Sequence, residues 1–160
     1  MKYVQIGSLR VSRFILGSNP FSGFSHQGTQ RDMEMKHYFT TTRIKEILRE
    51  AESLGINTLV GRADHHIIRI LMEYWDEGGN IKWFAQTCPE VGNHEACINR
   101  AADHGARACH IHGGVMDNRL AQGKIDEIPM SAANINDLIN VLAGSWGLER
   151  QMGFNVNIKN

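Results

Sequence analysis

Arg107-Ala108-Cys109-His110-Ile111-His112-Gly113-Gly114 carries the architecture of this chain in eight residues. It follows a predicted helix over 93–104, passes through a short apolar run and ends on two glycines. Successive side chains of a strand point to opposite faces. Cys109 and Ile111 are therefore expected on one side, and Ala108, His110 and His112 on the other. Two imidazoles on one face at a strand's C-terminal end, followed by glycines that let a ligand approach, predict a site rather than a core.

The segments before it alternate in kind. Tyr3 to Arg13 reads as a hairpin turning at Gly7-Ser8, followed by Phe14-Ile15-Leu16 as a buried parallel strand. Residues 21–40 read as a long loop containing Gly23, Gly28, His26 and His37. Ile44, Ile47, Leu48, Ala51 and Leu54 recur at helical spacing, with Thr42 as the expected N-cap and Gly55 as the stop. A strand over 56–60 ends at Gly61-Arg62. Asp64 is placed to cap a helix whose inward face is Ile67, Ile68, Leu71 and Trp75, stopped by Gly78-Gly79. Residues 81–87 form a third strand, and an alanine-rich helix from Asn93 leads into the histidine-bearing one.

Strands alternating with helices predict an α/β fold with a parallel sheet and right-handed crossovers. Beyond Gly114 the pattern loosens. Residues 115–130 read as loop, Ser131 as the cap of a helix carrying Ile135, Leu138, Ile139 and Leu142, and 153–160 as one more alternating strand. The expected organisation is one main unit over 1–130 and a divergent or truncated tail over 131–160.

Composition excludes several classes. In 160 residues, 17 Lys+Arg balance 17 Asp+Glu, so no net charge directs the chain to nucleic acid or an acidic membrane. No apolar run approaches the ~20 residues that cross a bilayer, and the N-terminus lacks a signal-peptide core. Three cysteines without a CxxC pair are expected as small buried hydrophobes in a reducing, cytoplasmic setting.

Four segments resemble the aldo-keto reductase family. Ile6 to Ser18 looks like its opening hairpin and first barrel strand, and Ile47 to Asn57 like the helix leading into its second strand. Ile81 to Thr87 sits where its third strand would be. Cys109-His-Ile-His112 resembles its fourth, with His112 at the active-site histidine. The resemblance implies the N-terminal part of a (β/α)8 TIM barrel, an NADP cofactor at its mouth with Gly17 and Ser18 beside it, and reduction of a small carbonyl or sugar-like substrate. In that chemistry a tyrosine gives the proton, tuned by a lysine and an aspartate. Here Asp64 falls a few places late, no tyrosine follows it before Tyr74, and the lysine's place reads Gln86-Thr87. A closed barrel takes ~250 residues, so the expected activity is impaired in a chain of this length.

Under this reading the strand ends bring together Asn19, Arg62, Asp64, His65, Gln86, Cys88, His110 and His112. His112 orients the carbonyl, Arg62 attracts an anionic group, and Asp64 beside His65 serves as an acid–base pair. His110, Gln86 and Asn19 contact substrate. The alternative is a metal-dependent barrel hydrolase or lyase, in which His110 and His112 join Asp64 or His65 on a divalent ion. The third reading is a non-catalytic barrel fragment whose rim residues satisfy one another. Open sheet edges predict self-association.

Overall fold

The computed structural model describes residues 1–88, 90–113, 118, 121–123 and the backbone of 139–141. β1 (Tyr3–Ile6) and β2 (Leu9–Ser12) pair antiparallel through a turn at Gly7, whose φ of 55° suits glycine. The remaining strands form a parallel sheet in the order β3 (Leu16–Gly17), β4 (Thr58–Arg62), β5 (Lys82–Gln86), β6 (Ala108–His110) and β7 (Ile139–Val141). Between them run α1 (Thr29–Tyr38), α2 (Thr41–Ser53), α3 (His65–Asp76) and α4 (His94–Asp103). Sequence neighbours are therefore neighbours in the sheet, as short βα connections require. Among the described residues no helix is long and apolar enough to cross a membrane.

Three of the four described helices, α2, α3 and α4, start where a side-chain cap dictates. Asp64 accepts from the Ile67 N–H at 3.0 Å and Asn93 from Ala96 at 2.8 Å, each occupying one of the four N–H groups a helix start leaves open. The cap of α2 is Thr40, accepting from Arg43, and not Thr42, which is the second residue of the helix. Two threonines on either side of Thr41 carry the same cap signal; extended backbone at residue 40 selects the first.

The sheet has two faces. Leu59, Trp83, Ala85 and Cys109 pack with Ile44, Leu48, Ile67, Leu71 and Ile98 from the helices. Trp83 is fully buried and its indole N–H donates to the Gly61 carbonyl at 3.0 Å. On the other face Phe84 and Ala108, with Val60 beside them, are covered by Leu9 and Val11 of the hairpin. Asn57 fastens that hairpin. Its Oδ1 accepts from the Ser12 N–H at 2.8 Å, its Nδ2 donates to the Arg10 carbonyl at 3.1 Å, and its own N–H donates to Ser12 Oγ at 3.1 Å.

Three further expectations are corrected. Residues 29–38, expected as loop, form α1. None of its side chains is buried, so no apolar stripe betrays it in the sequence; it is held by Asp32, which accepts from both the N–H and the hydroxyl of Ser25 at 2.8 and 2.6 Å. Phe14, expected inside a buried strand, is 60% exposed, and β3 begins only at Leu16. Ile139, expected on a helix, starts β7: an Ile-Asn-Val triplet satisfies either pattern, and pairing beside β6 decides it. The rest of that helix, its cap Ser131, the strand over 153–160 and the boundary near residue 130 lie outside the described residues, as does most of the loop over 115–130.

Candidate functional site

Register builds the site. Across three parallel strands Val60, Phe84 and Ala108 lie opposite one another, and so do Arg62, Gln86 and His110 two residues further on. Residues two apart share a face, so the second row continues the face that the hairpin covers, at the strands' C-terminal ends. With ~4.8 Å between strands, a cation, an amide and an imidazole stand side by side over about 10 Å.

Arg62 is committed. Its Nε donates to Asp64 Oδ2 at 2.9 Å, its Nη2 pairs with Glu90, and the Phe24 ring lies over the guanidinium with its centroid 4.5 Å away. The arginine side chain is only 9% exposed. Burial opposes its charge, yet the bonds to Glu90 and Asp64 outweigh it and raise its pKa above the ordinary value. Glu90 answers in kind: burial acts upward, but the bond from Arg62, together with other contributions, holds its carboxyl below the usual range. Arg62 is therefore not the open cation that the sequence suggests.

Nor are Asp64 and His65 an acid–base pair. Asp64 uses one oxygen to cap α3 and the other on Arg62, while His65 and His66 are both exposed on the first turn. The cap demands that geometry, and it turns the aspartate away from general-base duty.

Gln86 and His110 are both half-buried. Burial, reinforced by the charge of His112, pushes the His110 imidazole down to about 4, so it is neutral at pH 7. A neutral ring offers one N–H donor and one acceptor nitrogen. His112 lies two residues past it, beyond the end of β6, and its charge reaches both His110 and Glu90. Thr87, fully buried, holds this turn: its N–H donates to the His110 carbonyl at 3.0 Å and its Oγ1 accepts from the His112 N–H at 3.1 Å. The same hydroxyl is 3.1 Å from His94 Nδ1, which ties the end of β6 to the start of α4.

The remaining predicted residues are less central. Asn19 opens a short 3-10 turn (Asn19–Ser22) and its amide meets His26 Nε2 at 3.4 Å. Cys88, Cys97 and Cys109 are free and buried, and burial lifts the Cys88 and Cys109 thiols to about 12. That removes thiolate chemistry near neutral pH. Gly17 has room, since a Cβ there meets nothing within 4 Å, but the Ser18 N–H is taken by the Val60 carbonyl at 3.0 Å. With Arg62 also occupied, neither the Ser18 N–H nor the Nε and Nη2 of Arg62 is open to the anionic diphosphate of a nicotinamide cofactor. Among the described residues no three His, Cys, Asp or Glu side chains form a group that could hold a metal ion. The three tyrosines are engaged elsewhere: Tyr3 with Gly55, Tyr74 with Glu52 and Tyr38 beneath Arg43.

Sequence reasoning missed Glu90, Phe24 and Thr87. Thr87 was adjacent to a flagged position and its β-branched place at a strand end was a signal; Glu90 and Phe24 reach Arg62 from loops 28 and 38 residues away and left none. No protein-family model, curated protein or solved structure matches this chain.

Proposed function

We propose that this chain is the N-terminal part of an aldo-keto-reductase-like (β/α)8 barrel whose rim binds a small carbonyl or sugar-like substrate through Gln86 and His110. The observation that carries the reading is the row Arg62–Gln86–His110, in register on the hairpin-covered face at the strands' C-terminal ends. Parallel α/β barrels place their chemistry at this end, and the hairpin closes the opposite end of the same face, where Leu9 and Val11 meet Phe84 and Ala108.

The chemistry follows from protonation state. A neutral His110 donates its N–H to a carbonyl oxygen without bringing a full charge, and strengthens that bond as the oxygen gains negative character. The Gln86 amide can donate to the same oxygen or accept from a neighbouring hydroxyl. His112 borders the pair. No tyrosine stands in the row to deliver a proton, and the Ser18 N–H is already bonded to the Val60 carbonyl, so the reading is one of substrate binding and carbonyl polarisation.

Titrating the chain with dihydroxyacetone while following side-chain resonances tests it. Gln86 and His110 shift together, and His110→Ala weakens binding about tenfold, the loss of one hydrogen bond to a polar ligand. A parallel assay of NADPH fluorescence and oxidation checks the reductase activity that the resemblance implies. Dihydroxyacetone shifts confined to surfaces away from β5 and β6 would remove the reading.

A further inference from the structure

We infer that Glu90 sets the charge class of ligand at this rim: by occupying the outer edge of Arg62 it closes the mouth to anions and leaves it open to uncharged, oxygen-bearing molecules. The inference rests on the reading of the rim as a binding site and adds a specificity-determining residue to it.

Arg62 is the one charged group in the row, and alone it would draw phosphates or carboxylates, whose paired oxygens match a guanidinium edge. Three neighbours deny that edge. Asp64 holds Nε, and is itself fixed by its cap bond to Ile67. Phe24 covers one face of the guanidinium. Glu90 takes Nη2 from the solvent side, its side chain 53% exposed against 9% for Arg62. Arg62, Asp64 and Glu90 carry one positive and two negative charges, with His110 neutral beside them and His112 acting on Glu90 from beyond the end of β6. An incoming anion therefore meets two carboxylates around one guanidinium and finds Nε and Nη2 already taken, which is discrimination by repulsion as well as by occupancy. A hydroxyl or carbonyl meets no such obstacle at Gln86 and His110.

Glu90 is also the replaceable member of the cluster. Asp64 anchors a helix and Phe24 belongs to the loop ahead of α1, whereas Glu90 stands on a turn with half its side chain in water.

The test uses inorganic phosphate and dihydroxyacetone as probes on the full chain, with Glu90→Gln removing the charge and Glu90→Ala removing charge and bulk. Thermal melting first shows that both variants are folded. The wild-type chain shows no phosphate-dependent shift at the Arg62 guanidinium. Glu90→Ala binds phosphate there about tenfold or more tightly, with a salt dependence that neutral binding lacks, and Glu90→Gln falls between the two. Phosphate binding at Arg62 in the wild type as tight as in Glu90→Ala, or no gain in either folded variant, overturns the inference. Should dihydroxyacetone leave Gln86 and His110 unmoved while Glu90→Ala gains phosphate, the carbonyl reading falls and the role of Glu90 stands.

Discussion

Replacing Asn57 by alanine tests whether the hairpin is fastened by one side chain. The amide makes three bonds: it accepts from the Ser12 N–H at 2.8 Å and from Thr58 Oγ1 at 2.9 Å, and donates to the Arg10 carbonyl at 3.1 Å. Their losses are unequal. Ser12 is fully buried, so its N–H is stranded, which costs about 1–3 kcal/mol. The Arg10 carbonyl belongs to an exposed residue and regains water at little cost. The Thr58 hydroxyl is buried but can rotate, and adds ~1 kcal/mol at most. Asn57→Ala should therefore lose about 1–4 kcal/mol, a large share of the ~5–15 kcal/mol typical of a domain. Urea denaturation at pH 7 measures the total, and amide exchange at Ser12 localises it, because that proton should lose protection before the amides of β4 and β5. A loss below about 1 kcal/mol, or unchanged exchange at Ser12, refutes the account of Asn57 as the hairpin's latch.

The other expectations are shorter. His110 is neutral in the folded chain, with its pKa depressed from 6.5 to about 4; stability from this group is full above the unfolded value and is lost as pH falls from 6.5 through 4, so His110→Gln should flatten the decline in melting temperature over that window. Failure of the His110 ring to stay neutral at pH 5.5 by NMR would contradict it. Gly23 has φ +70° and an added Cβ would lie 2.6 Å from Lys36 and 2.8 Å from the Asp32 carbonyl; Gly23→Ala should destabilise by about 1–3 kcal/mol and loosen α1 first, read by amide exchange over 29–38. The thiols of Cys88, Cys97 and Cys109 should resist Ellman's reagent in the native chain and all three react in guanidinium; rapid native reaction would show that the core around them opens.

The strand–helix alternation was legible because each element carries a local signal. Asp64 and Asn93 are capping side chains at the first turns they occupy, Gly7 gives the hairpin its turn, and the apolar spacing of Ile67, Ile68 and Leu71 marks the buried side of α3. These depend on residues within a turn or two of one another, where spacing is geometry. α1 escaped because a helix with no buried face has no periodicity to read. β7 was misread because three residues cannot distinguish a period of two from one of 3.6.

What the amino-acid order determined alone is that an arginine, an amide and an imidazole end successive strands, with a second imidazole, His112, two residues past the last. Whether they face the same way in one row is a matter of register, set by packing across β4, β5 and β6. Only the tertiary structure decided which of them are available. It brought Glu90 and Phe24 onto Arg62 from distant loops, spent Asp64 on a helix cap, and buried His110 enough to keep it neutral. Charge availability depends on what lies within a few ångströms in space, and spacing along the chain does not encode that distance.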